Sequence, residues 1–123
     1  MPKDSRHLRL SSKILSKFER VGVQDDVADP IFIARFYVPG TDVEWFMAEY
    51  YPDENMFFGY ASIFKNCDDE WAHISTSELE GVELYYHGDK FKVELDKSFK
   101  EKPASEVVLS LYKKEINDKE EEQ

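Results

Sequence analysis

Residues 45–64, WFMAEYYPDENMFFGYASIF, decide how this chain folds. Eight of the twenty are aromatic, and a Pro-Asp-Glu-Asn run sits in the middle. Proline and asparagine in such a run mark a turn. The flanking segments are rich in aromatic and apolar residues, as strands are. The stretch therefore reads as an antiparallel hairpin. With a four-residue connection, Tyr51 faces Met56, and the register then runs Tyr50 with Phe57, Glu49 with Phe58, Ala48 with Gly59, Met47 with Tyr60 and Phe46 with Ala61. Side chains alternate along a strand, so this register sorts the hairpin into two faces. Phe46, Ala48, Tyr50, Phe57, Gly59, Ala61 and Ile63 form an apolar face with a dip at Ala48 and Gly59, suited to a core. Trp45, Met47, Glu49, Tyr51, Met56, Phe58, Tyr60 and Ser62 form an amphipathic face. Within it, Trp45, Glu49, Phe58 and Tyr60 are the candidate ligand-binding residues, because Trp and Tyr offer contact area with a polar tip. The competing expectation is that the N-terminal helix covers this face, with Lys13, Lys17 or Arg20 pairing with Glu49.

Further elements extend from the hairpin in both directions. SSKILSKFERVG (11–22) reads as a helix capped by Ser11 or Ser12, with Ile14, Leu15, Phe18 and Val21 at helical spacing and Gly22 as its stop. Its basic stripe is expected to pack on the chain's own acidic body. IFIARFYV (31–38) reads as one strand and WAHIS (71–75) as another. TSELEG (76–81) reads as a helical turn started by Thr76 or Ser77 and closed by Gly81. VELYY-HGDK-FKVEL (82–95) reads as a hairpin with a four-residue connection. Pro103 opens ASEVVLSLYKKEI, where Val107, Val108, Leu111 and Tyr112 share a helical face, although VVLSLY also fits a strand. The expected class is α+β: a mainly antiparallel sheet of four to six strands with an N-terminal and a C-terminal helix. The 123 residues fit one domain, 1–123, with 1–10 and 117–123 expected to be flexible.

Composition narrows the function classes. The apolar fraction is 41% and the aromatic fraction 15%, which favours a folded globule over disorder. No apolar run approaches the roughly 18 residues of a membrane span, and no apolar segment follows the basic N-terminus as in a secretory signal. With a single cysteine, Cys67, no intramolecular disulfide forms, and a cytoplasmic protein is the expectation. Residues 1–20 hold six Lys/Arg against two acids, a net +4; the remainder holds ten basic against twenty-four acidic residues, a net −14. A body this acidic repels phosphate backbones, so direct nucleic-acid binding is not expected. The same charge can imitate nucleic acid towards a basic protein, or simply keep the chain in solution. Candidate acidic contacts are Asp25, Asp26, Asp53, Glu54, Asp68, Asp69 and Glu70.

Motifs for chemistry are sparse. His7, His73 and His87 lack metal-ligand spacing, so no metal site is expected. Asp68, Asp69 and Glu70 beside Cys67 disfavour its thiolate. Glycine-rich phosphate loops and nucleophile elbows are missing, and no cofactor is expected. Glu49, Glu94 and Asp96 are possible acid–base carboxylates, but nothing in the sequence places two of them together. The chain reads as non-enzymatic, with a hydrolase using Glu49 as base as the last alternative.

DPIFIARFYVPGTDVEWFMAEYYPDENMFFGYA, followed by HISTSEL and VELDKSFKEKPASEV, resembles the family called domain of unknown function 2958. The resemblance runs over residues 29–107. Its most specific part is Trp45–Phe46, then AEY, Pro52 and FFGY. It implies a setting on phages, plasmids and conjugative elements, and carries over no catalytic residue. The family pattern has an acidic residue where Tyr51 stands, so any metal or base function of that cluster would be impaired here. Three readings follow: an acidic interaction protein of a mobile element that occupies a basic nucleic-acid site on a host complex, as an anti-defence inhibitor would; a small-molecule or peptide-binding module using the aromatic face; and the hydrolase.

Overall fold

The computed structural model describes residues 10–63 and 69–111. Helix α1 (Ser12–Val21) precedes strands β1 (Ile31–Phe32), β2 (Ala34–Tyr37), β3 (Glu44–Tyr51), β4 (Met56–Ser62) and β5 (Glu70–Ser75). Then come helix α2 (Thr76–Gly81), strands β6 (Glu83–Tyr86), β7 (Asp89–Lys92), β8 (Glu94–Leu95) and β9 (Lys102–Pro103), and helix α3 over 104–111. The class is α+β. A five-stranded antiparallel sheet, ordered β5-β4-β3-β2-β8, is accompanied by two small ribbons, β1-β9 and β6-β7.

Local chemistry accounts for the elements. The Ser11 side chain accepts the Ile14 N–H to start α1, and Gly22, at φ 72°, ends it with its N–H on the Phe18 carbonyl. The cap of α2 is Ser75, not Thr76 or Ser77: its hydroxyl accepts the Glu78 N–H while the Glu78 carboxylate accepts the Ser75 N–H. The β6-β7 hairpin turns on two residues, not four, because His87 and Gly88 both adopt positive φ (52° and 84°), which suits a tight turn between twisted strands. Residues 31–38 do not form one strand. Ile33 and Ala34 are neighbours in sequence yet both face the larger core, so alternation breaks between β1 and β2, and β1 pairs with β9 instead of continuing β2. The strand alternative for 107–112 fails over the described part, which is helical.

The central hairpin keeps the expected register only as far as Glu49. Tyr51 faces Met56, Tyr50 faces Phe57 and Glu49 faces Phe58, but Met47 then faces Gly59 and Phe46 faces Tyr60. Ala48 is a bulge. One extra residue inverts every side chain beyond it. Trp45 and Met47 therefore join Tyr50, Phe57 and Ala61 on one face, and Phe46 and Ala48 move to the face of Glu49, Phe58 and Tyr60. The first face holds the larger core, with Phe36, Val38, Ile74 and Val93, covered by Phe18 of α1 and Leu79 of α2. The second face carries a smaller core of Phe32, Phe46, Ala48, Tyr60 and Ala104, with Val107, Val108 and Leu111 of α3 against it. Both faces are packed, which explains the aromatic density of the hairpin.

The expected dip exists, but its partner is different. Gly59 meets β3 at Phe46 and Met47, not at Ala48. A methyl group on Gly59 would overlap the Phe46 carbonyl and lie 2.8 Å from the Met47 Cα. Gly59→Ala is expected to destabilise the fold by more than ~2 kcal/mol in urea denaturation, because the clash is with backbone; unchanged stability would contradict the close approach of the two strands.

Candidate functional site

The bulge at Ala48 leaves backbone groups that the ladder does not use, and the loop between α1 and β1 supplies their partner. Gln24 is buried at 6% exposure. Its amide nitrogen donates to the carbonyls of Ala48 at 2.8 Å and Ile31 at 3.0 Å, and its amide oxygen accepts the Ile31 N–H at 2.7 Å. Its own backbone N–H donates to the Glu49 carboxylate at 2.7 Å. The Gln24 side chain thus fills the bulge and pins the loop, and its backbone N–H holds the neighbouring acid. Gln24→Leu keeps the volume but strands three backbone groups, and is expected to cost about 2–4 kcal/mol in chemical denaturation; a loss below ~1 kcal/mol would mean water replaces the amide.

Glu49 is 4% exposed, unusual for a carboxylate. Besides the Gln24 N–H, it accepts the Tyr51 hydroxyl. The expected pairing with α1 does not occur: Arg20 pairs with Glu101 at 2.7 Å, and no described lysine or arginine pairs with Glu49. Tyr51 is pushed up to about 12, first by its hydrogen bond to Glu49, then by burial, and further by the charges of Glu49, Asp25 and Glu54. Gln24 lies on Ala48 and Glu49, and Val23 shares a cavity wall with Tyr51 and Pro52, so the 22–30 loop and the Pro52–Glu54 turn meet at one end of the sheet.

Tyr51 titrates higher in the folded chain than the value near 10 of an unfolded tyrosine. Its contact with Glu49 therefore stabilises the fold fully below about pH 10, and that contribution is lost as pH rises through about 12. The stability difference between the native chain and Tyr51→Phe is expected to be constant at neutral pH and to shrink between those limits. A difference that stays flat would disprove the contact.

The four candidate ligand residues do not form one surface. Trp45 is buried in the larger core, on the opposite face from Glu49, because of the bulge. Tyr60 is 5% exposed and packs in the smaller core. Phe58 does neighbour Glu49. It stacks on Trp71, with ring centroids 5.5 Å apart and planes at 21°, and lies 4.9 Å from His73. Trp71 also stacks on Phe32 at 5.3 Å and is itself 36% exposed. Trp71 is the functional candidate that sequence reading missed. Its alternation within β5 was the available signal, but which face it joined depended on the bulge in β3.

A cavity of about 360 Å³ lies here, lined by Gln24, Asp25, Val27, Ala28, Pro30, Ala48, Glu49, Phe58 and Trp71. A second, of about 470 Å³, lies under α1 and is lined by Phe18, Val23, Tyr50, Tyr51 and Pro52 among others; Glu49 lines it too. Exposed Val23 and Val27 stand beside them.

The acidic candidates divide between two ends of the sheet. Asp25, Asp26, Asp53 and Glu54 are exposed, and the first and last of them act on Tyr51. Glu70 pairs with Ala61, at the far end of β5 from Ser75, which faces Met56. Six strand residues separate the ends by roughly 17–20 Å. Asp69 is turned inward, accepting the Ile63 N–H at 2.9 Å and the Ser62 hydroxyl at 3.4 Å. Asp68 and Cys67 lie outside the described residues, as do His7 and the acidic tail.

Of the other acid–base candidates, Glu94 is exposed on β8 opposite Tyr37, and Asp96 is engaged elsewhere. Asp96 pairs with Arg35 at 2.9 Å and accepts from Ser98; burial opposes its charge, but these contacts outweigh burial and hold it below the usual carboxylate range. Arg35 also pairs with Glu44 at 2.7 Å. Asp29 accepts the Ser105 hydroxyl at 2.6 Å and the Ser105 N–H at 2.8 Å, which lowers its pKa and caps α3. Among the described residues no cluster of three His, Cys, Asp or Glu side chains is arranged to hold a metal ion, and no helix is long and apolar enough to cross a membrane.

A two-faced antiparallel sheet with a plugged bulge and an acid-rimmed aromatic cleft defines this α+β domain. The chain belongs to the family described as protein of unknown function (DUF2958), whose model matches residues 8–121. The match takes in α1 and so extends beyond residues 29–107. Searches of curated proteins and of solved structures returned no match.

Proposed function

We propose that this chain is a non-enzymatic interaction protein of a phage or other mobile element, acting in the cytoplasm, whose acidic surface occupies a basic nucleic-acid-binding site on a host protein complex. The observation that carries this reading is the gathering of exposed Asp25, Asp26, Asp53 and Glu54 near one end of the sheet, with exposed Val23 beside Pro52 and with Val27 and Trp71 lining the cavity that Asp25 shares. An apolar patch with a charged rim is the composition of a protein-docking surface. Fixed carboxylates on a net −10 chain steer a basic partner and compete with phosphates. The small-molecule reading loses Trp45 and Tyr60 to the two cores, though Phe58 and Glu49 remain beside a cavity. The hydrolase reading has the least support. Glu49 accepts from Gln24 and Tyr51, and a phenol pushed up to about 12 is a poor proton donor at neutral pH.

The test is affinity capture from host lysate with identification by mass spectrometry. A nucleic-acid-binding complex is expected at low salt, released by added salt and by competing duplex DNA. A variant carrying Asp25→Asn, Asp26→Asn, Asp53→Asn and Glu54→Gln should lose it. A partner retained by that variant, or indifferent to salt and DNA, would remove the mimicry reading.

A further inference from the structure

The cavity beside the bulge holds a mismatch of charge. Its wall carries two carboxylates, Asp25 and Glu49, and no described basic side chain. Glu49 is nearly fully buried and is held by two hydrogen bonds without a counter-charge among the described residues. Removing a carboxylate from water is costly unless a cation or strong donors compensate. Gln24 offers nothing further to a ligand, since both of its amide atoms are committed to Ala48 and Ile31. The rest of the wall is apolar, with Val27, Pro30, Phe58 and Trp71. Such walls exclude water and strengthen a charge–charge contact at the floor.

We infer that this cavity is a receptor for a guanidinium group, the head of an arginine side chain presented by the basic partner. This rests on the acidic-interaction reading above and gives it an anchor. A volume of about 360 Å³ accommodates the head and its aliphatic stem. The three methylenes pack on Val27, Pro30 and the Phe58–Trp71 pair, and the planar head reaches Glu49 with Asp25 at the mouth. Arginine fits better than lysine, because its head is more weakly hydrated, lies flat on aromatic rings and meets a carboxylate with two donors. An arginine filling a water-poor pocket at the centre of an acidic rim is also the usual form of an interface hot spot.

The experiment is a titration of the ¹⁵N-labelled full chain with N-acetyl-arginine amide and, in parallel, with the citrulline amide, its neutral counterpart of the same shape. The two tryptophans give two indole signals, assigned with Trp71→Phe. The arginine probe is expected to shift the Trp71 indole and the Gln24 amide saturably, leaving the Trp45 indole in place. Citrulline should bind roughly tenfold or more weakly, and Glu49→Gln should lose a similar factor. Val27→Trp, a substitution at an exposed position that fills the cavity mouth, should abolish the response and serves where Glu49→Gln does not fold. Equal binding of citrulline, the absence of a saturable Trp71 shift, or a response unchanged in Val27→Trp would overturn the inference. A captured partner indifferent to Glu49→Gln and Val27→Trp leaves the acidic-surface reading standing without this anchor. An arginine response without any salt-sensitive partner does the reverse.

Discussion

The structure depends on one irregularity, the bulge at Ala48, and on the glutamine that closes it. Without the bulge, β3 would send Phe46 and Ala48 towards α1 and Trp45 towards α3, and neither helix would meet a complementary surface. With it, Trp45 and Met47 complete the larger core and Phe46 completes the smaller one. The freed Ala48 carbonyl needs a donor in a dry environment. Gln24 provides it, and the same side chain binds both backbone groups of Ile31. That fixes where β1 begins, and hence where β9 and α3 sit, because Ala104 donates to the Pro30 carbonyl and Asp29 caps Ser105.

The bulge also makes the cleft. Glu49 and Ala48 share a side because two residues of β3 stand opposite one position of β4. The acid therefore lies over the plugged backbone, beside Phe58 and Trp71, where an uninterrupted strand would have set it further along. Its partners come from outside the strand ladder: a loop N–H and the phenol of Tyr51. A phenol donates a hydrogen bond to Glu49, whereas a second carboxylate there would repel it. Among the described residues Glu49 has two hydrogen-bond donors and no basic side chain paired with it.

Much of the architecture could be read from local signals. Ser11 and Gly22 bounded α1 and Pro103 preceded α3, because caps and breakers act within a few residues; α2 is capped by Ser75, just before the Thr76 or Ser77 that its sequence suggests. The hairpin turn at Pro52 and its first three cross-strand pairs were equally local. The candidate site was legible only in part. Glu49 and Phe58 were found and do belong together, since they lie on the near side of the bulge. Trp45 and Tyr60 were assigned to an exposed face and are core. Trp71, two strands away, went unnoticed. Of the acidic residues, Asp25 and Glu54 converge through folding, whereas Asp69 serves its own turn.

The sequence by itself determined the α+β class, the extent of α1, the turn at Pro52, the acidic body and the aromatic hairpin, all of which follow from composition and from contacts between near neighbours. Only the tertiary structure decided which face each aromatic joined and which carboxylates met. A bulge has no reliable local signature when the residue involved is an alanine. Its stability comes from Gln24, far away in sequence, so a single long-range hydrogen-bonded plug sets the register of the central strand and the chemistry of the cleft beside it.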